Sequence, residues 1–221
     1  MIRCILFDFD GTLVDTWNLY IEAYVRTLEP YVGGRLSLEE LKALGPTSER
    51  RLLERVPEVA DVERAYREFL DHYRSLHPSR FEGVYPGIGE MLAALTEMRL
   101  AVGIVTGKTG AALEITLEQA DLGEFDVVIT DDDVAEAKPA PEGLELALDR
   151  LGLAADQAVY VGDSIADAEA ARSAGINYAA ALWPKHRSEV DGFLERAREP
   201  GTWAELERPA SLIGKLRTTA G

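Results

Sequence analysis

Short, mostly apolar runs recur along this chain at residues 2–7, 100–105, 125–129, 158–161 and 178–182, with amphipathic segments between them. The runs do not alternate apolar with polar positions, so each predicts a strand covered on both faces. Between them, Ile88, Met91, Leu92, Leu95 and Met98 follow a 3-4 spacing, and Leu144, Ala147, Leu148 and Leu151 form one apolar face behind Pro141. Both patterns predict helices. Residues 165–174 are alanine-rich, which suits a helix lying close against a sheet. Alternation of this kind predicts an α/β fold, a Rossmann-like parallel sheet core with helices on both faces.

Residues 15–83 break the pattern, with no strand candidate and several helical ones. Ser37-Leu38-Glu39-Glu40 is a capping-box sequence, and Val62, Tyr66, Phe69, Leu70 and Tyr73 make an amphipathic face. The expectation is an inserted α-helical cap domain at residues 16–83, above the sheet edge where open parallel sheets bind ligands. Residues 1–15 and 84–221 then form the catalytic core, with Pro86 and Gly87 punctuating the return. The C-terminal stretch reads as a helix at 190–197, a Pro-Gly turn at 200–201 and a last helix near 210–216.

Charge narrows the chemistry. A formal net charge of −16 would repel phosphate backbones, which argues against a nucleic-acid binder. It also opposes anionic substrates unless a cation or a local lysine reverses the field at the site. Three histidines and one cysteine leave little for zinc, so a bound metal is expected to be a hard cation on carboxylate oxygens. No apolar run is long enough to cross a bilayer, and the first residues lack a secretion-signal pattern. Cys4 lies in an apolar run and reads as a buried thiol, consistent with a cytoplasmic location.

Four segments carry candidate chemistry, each at a strand end. In Asp8-Phe9-Asp10-Gly11-Thr12, alternation puts both carboxylates on one side and Phe9 in the core. Neighbouring carboxylates need a compensating cation or hydrogen-bond network. Asp8 as a metal-bound nucleophile and Asp10 as general acid/base meet that need, while a pair of capping acids in a turn is the plainer alternative. Gly11 and Thr12 are expected to offer backbone N–H groups to a phosphoryl group. Thr106 and Gly107, after the second apolar run, are candidates for binding a phosphoryl oxygen. The stretch from Gly103 to Thr109 imitates a nucleotide-binding Gly-Lys-Thr loop, but has three residues between its glycines where that loop needs four. Lys138, in a loop fixed by Pro139 and Pro141, can offset the charge on Asp8 and a bound phosphate, with an ordinary surface lysine as the plainer alternative. Asp163 is placed to reach a magnesium ion, and Asp167 to hold a metal-bound water or Lys138.

Other polar features read more plainly. Asp131-Asp132-Asp133 is expected to be a solvated loop with a helix cap. Trp17, Tyr20 and Tyr24 are expected to pack between cap and core, and His72 and His77 to be exposed on a charged helix.

Taken in order, Asp8 to Thr16, Thr106, Lys138 and Gly162-Asp163 with Asp167 resemble the haloacid dehalogenase-like superfamily, in its phosphatase branch with a helical cap. The likeness covers about residues 1–182, and its first motif is similar to those of phosphoglycolate and pyrophosphate phosphatases. It implies a magnesium-dependent phosphatase acting on small phosphate monoesters or pyrophosphate through an aspartyl-phosphate. In that reading Asp8 is nucleophile and metal ligand, and Asp10 protonates the leaving oxygen while its carbonyl binds the metal. Thr106 and Lys138 hold phosphoryl oxygens, Asp163 completes the ligands and Asp167 stands behind it. Arg50 or Arg51, in the expected cap, is a candidate for a substrate anion, with a solvated helix cation as the plainer alternative. The segment Trp183-Pro184-Lys185-His186-Arg187 departs from the family's pattern by lacking a glycine after the tryptophan. Two alternatives share the motifs: a phosphomutase acting on hexose phosphates, and a non-catalytic sensor of a phosphorylated ligand.

Overall fold

The computed structural model describes residues 1–45, 47–197 and 202–219. Strand β1 (Cys4–Phe7) and the two-residue β2 (Val14–Asp15) come first. Helices α1 (Trp17–Val32), α2 (Leu38–Ala43), α3 (Glu49–Glu54) and α4 (Val62–Arg80) follow, then β3 (Gly83–Val84). The remainder alternates: α5 (Ile88–Glu97), β4 (Ala101–Val105), α6 (Gly110–Leu117), β5 (Val127–Ile129), α7 (Glu142–Leu151), β6 (Ala158–Gly162) and α8 (Ile165–Ser173). It ends with β7 (Asn177–Ala181), α9 (Arg187–Ala197), β8 (Thr202–Leu206) and α10 (Ala210–Thr219).

Six strands form one parallel sheet in the order β5-β4-β1-β6-β7-β8. The period-2 geometry of β1 sends Ile5 and Phe7 to one face and Cys4 and Leu6 to the other. The first pair packs with Ile88, Met91 and Leu95 of α5 and Leu212 and Leu216 of α10. The second packs with Leu144, Ala147 and Leu148 of α7 and with the alanines of α8. Each large apolar side chain so enclosed contributes about 2 kcal/mol. The central strand is therefore apolar throughout, and the polar residues appear where it ends. Because β4 and β6 flank β1 on opposite sides, the chain reverses its direction of winding there and opens a crevice above the strand ends.

The helices of residues 17–80 pack around their own cluster, which includes Leu19, Leu28, Leu53, Phe69 and Tyr73, and reach the sheet layer at Ile115 of α6. The capping box at Ser37 forms as expected and opens α2. The chain leaves and re-enters the sheet layer through β2 and β3, which pair antiparallel. That pairing and β8 are absent from the strands read in the sequence. Two residues are too few to show a period, and β8 is a half-buried edge strand whose pattern is mixed. The Pro-Gly turn expected at 200–201 lies outside the described residues.

Two of the plainer readings need correction. Trp17 does not pack between the layers and is 54% exposed. His77 is not exposed: it is buried, with Phe81 4.5 Å away ring to ring and Nε2 3.3 Å from Thr116 Oγ1. The stripe of apolar residues on α4 is wide enough to carry a histidine inward, where α6 supplies its polar partner. Burial, reinforced by Lys108, holds the imidazole below its ordinary 6.5. The unfolded chain takes up the proton first, so this stabilisation is complete above 6.5 and is lost as pH falls through that value towards the lower folded one. The thermal midpoint is expected to drop between pH ~7.5 and ~5.5, and His77→Gln to make the drop smaller in calorimetry at both pH values. An equal drop in the variant would contradict this assignment.

Candidate active site

The turn after β1 brings the first motif over the sheet. Leu13 and Val14 N–H groups both donate to the Phe9 carbonyl, and Gly11 turns at φ +81°. A Cβ at Gly11 would stand 2.8 Å from Asp163 Oδ1, so only glycine lets the turn approach the end of β6 this closely. One expectation is corrected here. The Gly11 and Thr12 amides are taken within the turn, by Val14 O and Phe9 O, and are not turned towards a ligand. What Thr12 contributes is its hydroxyl, 3.3 Å from Asp163 Oδ1.

At the crevice, oxygens of Asp8, Asp163 and Asp167 lie within 4.8 Å of one another. Lys138 Nζ sits among them, 2.7 Å from Asp8 Oδ1 and 2.6 Å from Asp167 Oδ1. The Tyr160 hydroxyl donates to Asp167 and lies 3.0 Å from the same Nζ. Asp167 is fully buried, and its other oxygen accepts from the Ser164 N–H and hydroxyl. Both Asp167 oxygens thus serve protein donors, and its local effect is to orient Lys138. Gly162 is needed beside it, since a Cβ there would meet Asp167 at 2.6 Å.

The electrostatics follow from burial. Loss of solvent pushes the Asp8 carboxyl up to about 8; Lys138 opposes that, and Asp167 and Asp163 add to it. Asp163 is raised for the same first reason. Burial works against the Lys138 ammonium, but Asp167 and Asp8 hold it charged, above the usual lysine range. Buried carboxylates displaced in this direction, with no histidine or cysteine among them, suit a hard divalent cation, which would restore their ionised form. Asp8 and Asp163 are the residues whose oxygens fit that group.

Thr106 and Gly107, at the end of β4, line a small cavity together with Lys138. The structure also settles the nucleotide-loop imitation, since Gly103 lies inside β4, where a Cβ would strike Val127 at 2.4 Å. Arg50 is not brought to this cluster. It pairs with Glu63 at 3.0 Å and Asp132 at 3.6 Å, and its guanidinium lies over the Tyr66 ring. The acidic triplet is likewise more than a solvated loop. Asp133 caps the turn as expected, but Asp131 is buried and binds Arg51 at 2.9 Å, joining α3 to the loop after β5.

Two lysines were missed. Lys185 Nζ stands 3.2 Å from Asp163 Oδ2, and its neighbour Trp183 donates from Nε1 to the Thr12 carbonyl. The strand-end rule applied to β7 would have found this segment. Lys108 is fully enclosed and reaches Asp10, Tyr20, Tyr73 and Glu49. Its position two residues after Thr106 was the available signal.

Comparison with known proteins agrees with this geometry. The model of a family described as haloacid dehalogenase-like hydrolase matches residues 5–181. The pyrophosphatase PpaX of Bacillus cereus (strain AH820) is 37% identical over 198 residues, covering 87% of this chain and 89% of its own. CbbY from Rhodobacter sphaeroides, solved in complex with phosphate, has the same fold at 24% identity and a TM-score of 0.81, covering 98% of this chain and 100% of its own. A hydrolase from Pseudomonas syringae is 26% identical with a TM-score of 0.79, covering 99% of both chains. The carboxylates and lysine gathered above the parallel sheet, and a family model spanning most of its length, make this chain a member of the haloacid dehalogenase-like hydrolases.

Proposed function

We infer that this haloacid dehalogenase-like phosphatase hydrolyses small phosphate monoesters, phosphoglycolate among them, or pyrophosphate, with magnesium as cofactor and Asp8 as nucleophile. The observation that carries the reading is the gathering of Asp8, Asp163 and Asp167 about Lys138 at the switch point of the sheet. Pyrophosphate enters as a candidate through the 37% identity to PpaX. Residues 16–83 act in this reading as a cap over a core of residues 1–15 and 84–221. The buried Cys4 thiol accords with a cytoplasmic setting.

In the first step an Asp8 carboxylate oxygen attacks phosphorus and the bond to the leaving oxygen breaks. Asp10 gives its proton to that oxygen. In the second, Asp10 takes a proton from water, whose oxygen attacks the phosphorus, releasing phosphate and restoring Asp8. Lys138 stays charged throughout and, with Thr106, holds the phosphoryl oxygens. Asp8, Asp163 and the Asp10 carbonyl would hold magnesium, which would supply charge neutralisation for the transferred group. Together with Lys138 it makes the pocket attractive to anions despite the acidic surface.

Phosphate release from phosphoglycolate, pyrophosphate, hexose phosphates and nucleotides, with and without magnesium, tests the reading. Magnesium-dependent release concentrated on one small compound is expected. Fast isomerisation of a hexose phosphate with slow release would favour a mutase instead, and no release from any compound would contradict the reading. Magnesium is also expected to raise the thermal midpoint of the wild-type chain, by relieving the buried carboxylates, and to have a much smaller effect on Asp163→Asn. Equal shifts in the two proteins would remove Asp163 from the ligand set.

A further inference from the structure

Lys108 is a buried cation whose partners come almost entirely from the inserted helices. Its Nζ lies 2.7 Å from Tyr20 Oη on α1, 3.0 Å from Tyr73 Oη on α4 and 3.8 Å from Glu49 Oε1 on α3. The one partner from the sheet layer is Asp10, at 3.3 Å. The two tyrosine rings also face the ammonium, at 4.0 and 4.6 Å from their centroids. Glu49, itself fully buried, is satisfied separately by the Tyr20 hydroxyl and the Thr109 N–H. Asp10 is held from a second side, by the Thr16 hydroxyl at 2.6 Å, where the chain passes into α1.

A lysine that only neutralised Glu49 would have no reason to reach across to Asp10. Asp10 in turn has no other cation beside it among the described residues, while Asp8 has Lys138 and Asp163 has Lys185. Lys108 is closed off from solvent, so it is placed to act on Asp10 and not on a substrate.

Resting on the phosphatase reading above, we propose that Lys108 is the positioning residue for Asp10, fixing its carboxylate against the inserted helices in the orientation from which it serves the leaving oxygen. Tyr20 and Tyr73 form the cap side of this tie.

The test separates this from a structural role by the chemistry of the leaving group. An alkyl phosphate needs its leaving oxygen protonated, whereas p-nitrophenyl phosphate releases a phenolate that leaves unassisted. In Lys108→Met, kcat/KM is expected to fall ~100-fold for the alkyl ester and no more than ~5-fold for the aryl ester. Asp10→Asn is expected to show the same split. Removing the ammonium alone strands Glu49, so Lys108→Met combined with Glu49→Gln, which deletes the buried pair together, is measured beside it and should show the same selectivity. The magnesium-induced thermal shift should be unchanged in both, as the metal ligands are untouched. Equal losses on the two esters, or no loss on either, would overturn the role of Lys108 while leaving the phosphatase reading intact. No release by the wild-type chain from either ester, nor from phosphoglycolate or pyrophosphate, would overturn both.

Discussion

Asp8→Asn is expected to lose at least ~10⁴-fold in phosphate release on every substrate while keeping the fold. The amide has nearly the shape of the carboxylate but cannot attack phosphorus. Stability should not suffer. Burial already disfavours the Asp8 carboxylate in the metal-free protein, so a neutral amide removes an unfavourable charge, and Lys138 keeps its bond to Asp167. A thermal midpoint equal to or slightly above wild type is therefore expected, with the magnesium shift reduced. Steady-state release assays and calorimetry on the same preparation check both parts, and full activity in the variant would remove Asp8 from the mechanism.

Lys138→Ala is expected to damage stability as well as turnover. Its Nζ is shared by Asp8 and Asp167, both buried, so truncation leaves two carboxylates facing each other without a cation. Breaking a buried pair from one side costs about 3–5 kcal/mol. For a chain of this size 3 kcal/mol lowers the thermal midpoint by roughly 6–12 °C. Turnover should fall ~10³-fold, because the developing charge on the phosphoryl oxygens loses its fixed donor. Adding Asp167→Asn should return much of the stability by removing the stranded charge, yet none of the activity. If the double variant recovered turnover, Lys138 would be a structural cation only.

The cluster of carboxylates and lysine was legible because a parallel sheet converts sequence order into proximity. Each apolar run ends at the same edge, so Asp8, Thr106 and Asp163 had to meet there once their runs were recognised as strands. The spacing from Asp163 to Asp167 likewise placed the second carboxylate on the first turn of α8. What stayed hidden depends on how the inserted helices dock. Glu49 lies on a short polar helix, and the contact of α3 with the loops after β4 and β5 buries it. Arg50 and Arg51 both read as free cations near the mouth, yet α3 turns them to Glu63, Asp132 and Asp131. His77 and Lys108 are buried by the same docking. The edge strand β8 escaped for a different reason, since one half-covered strand with a mixed pattern carries no strong period.

The central claim is that the phosphoryl group passes through Asp8. The most direct measurement is to quench turnover in acid, reduce the acyl phosphate with borohydride and map the modified peptide by mass spectrometry. Modification at Asp8, forming no more slowly than phosphate is released and absent from Asp8→Asn, is the expected result. Rapid turnover with no covalent adduct, or with the adduct on another residue, would contradict it.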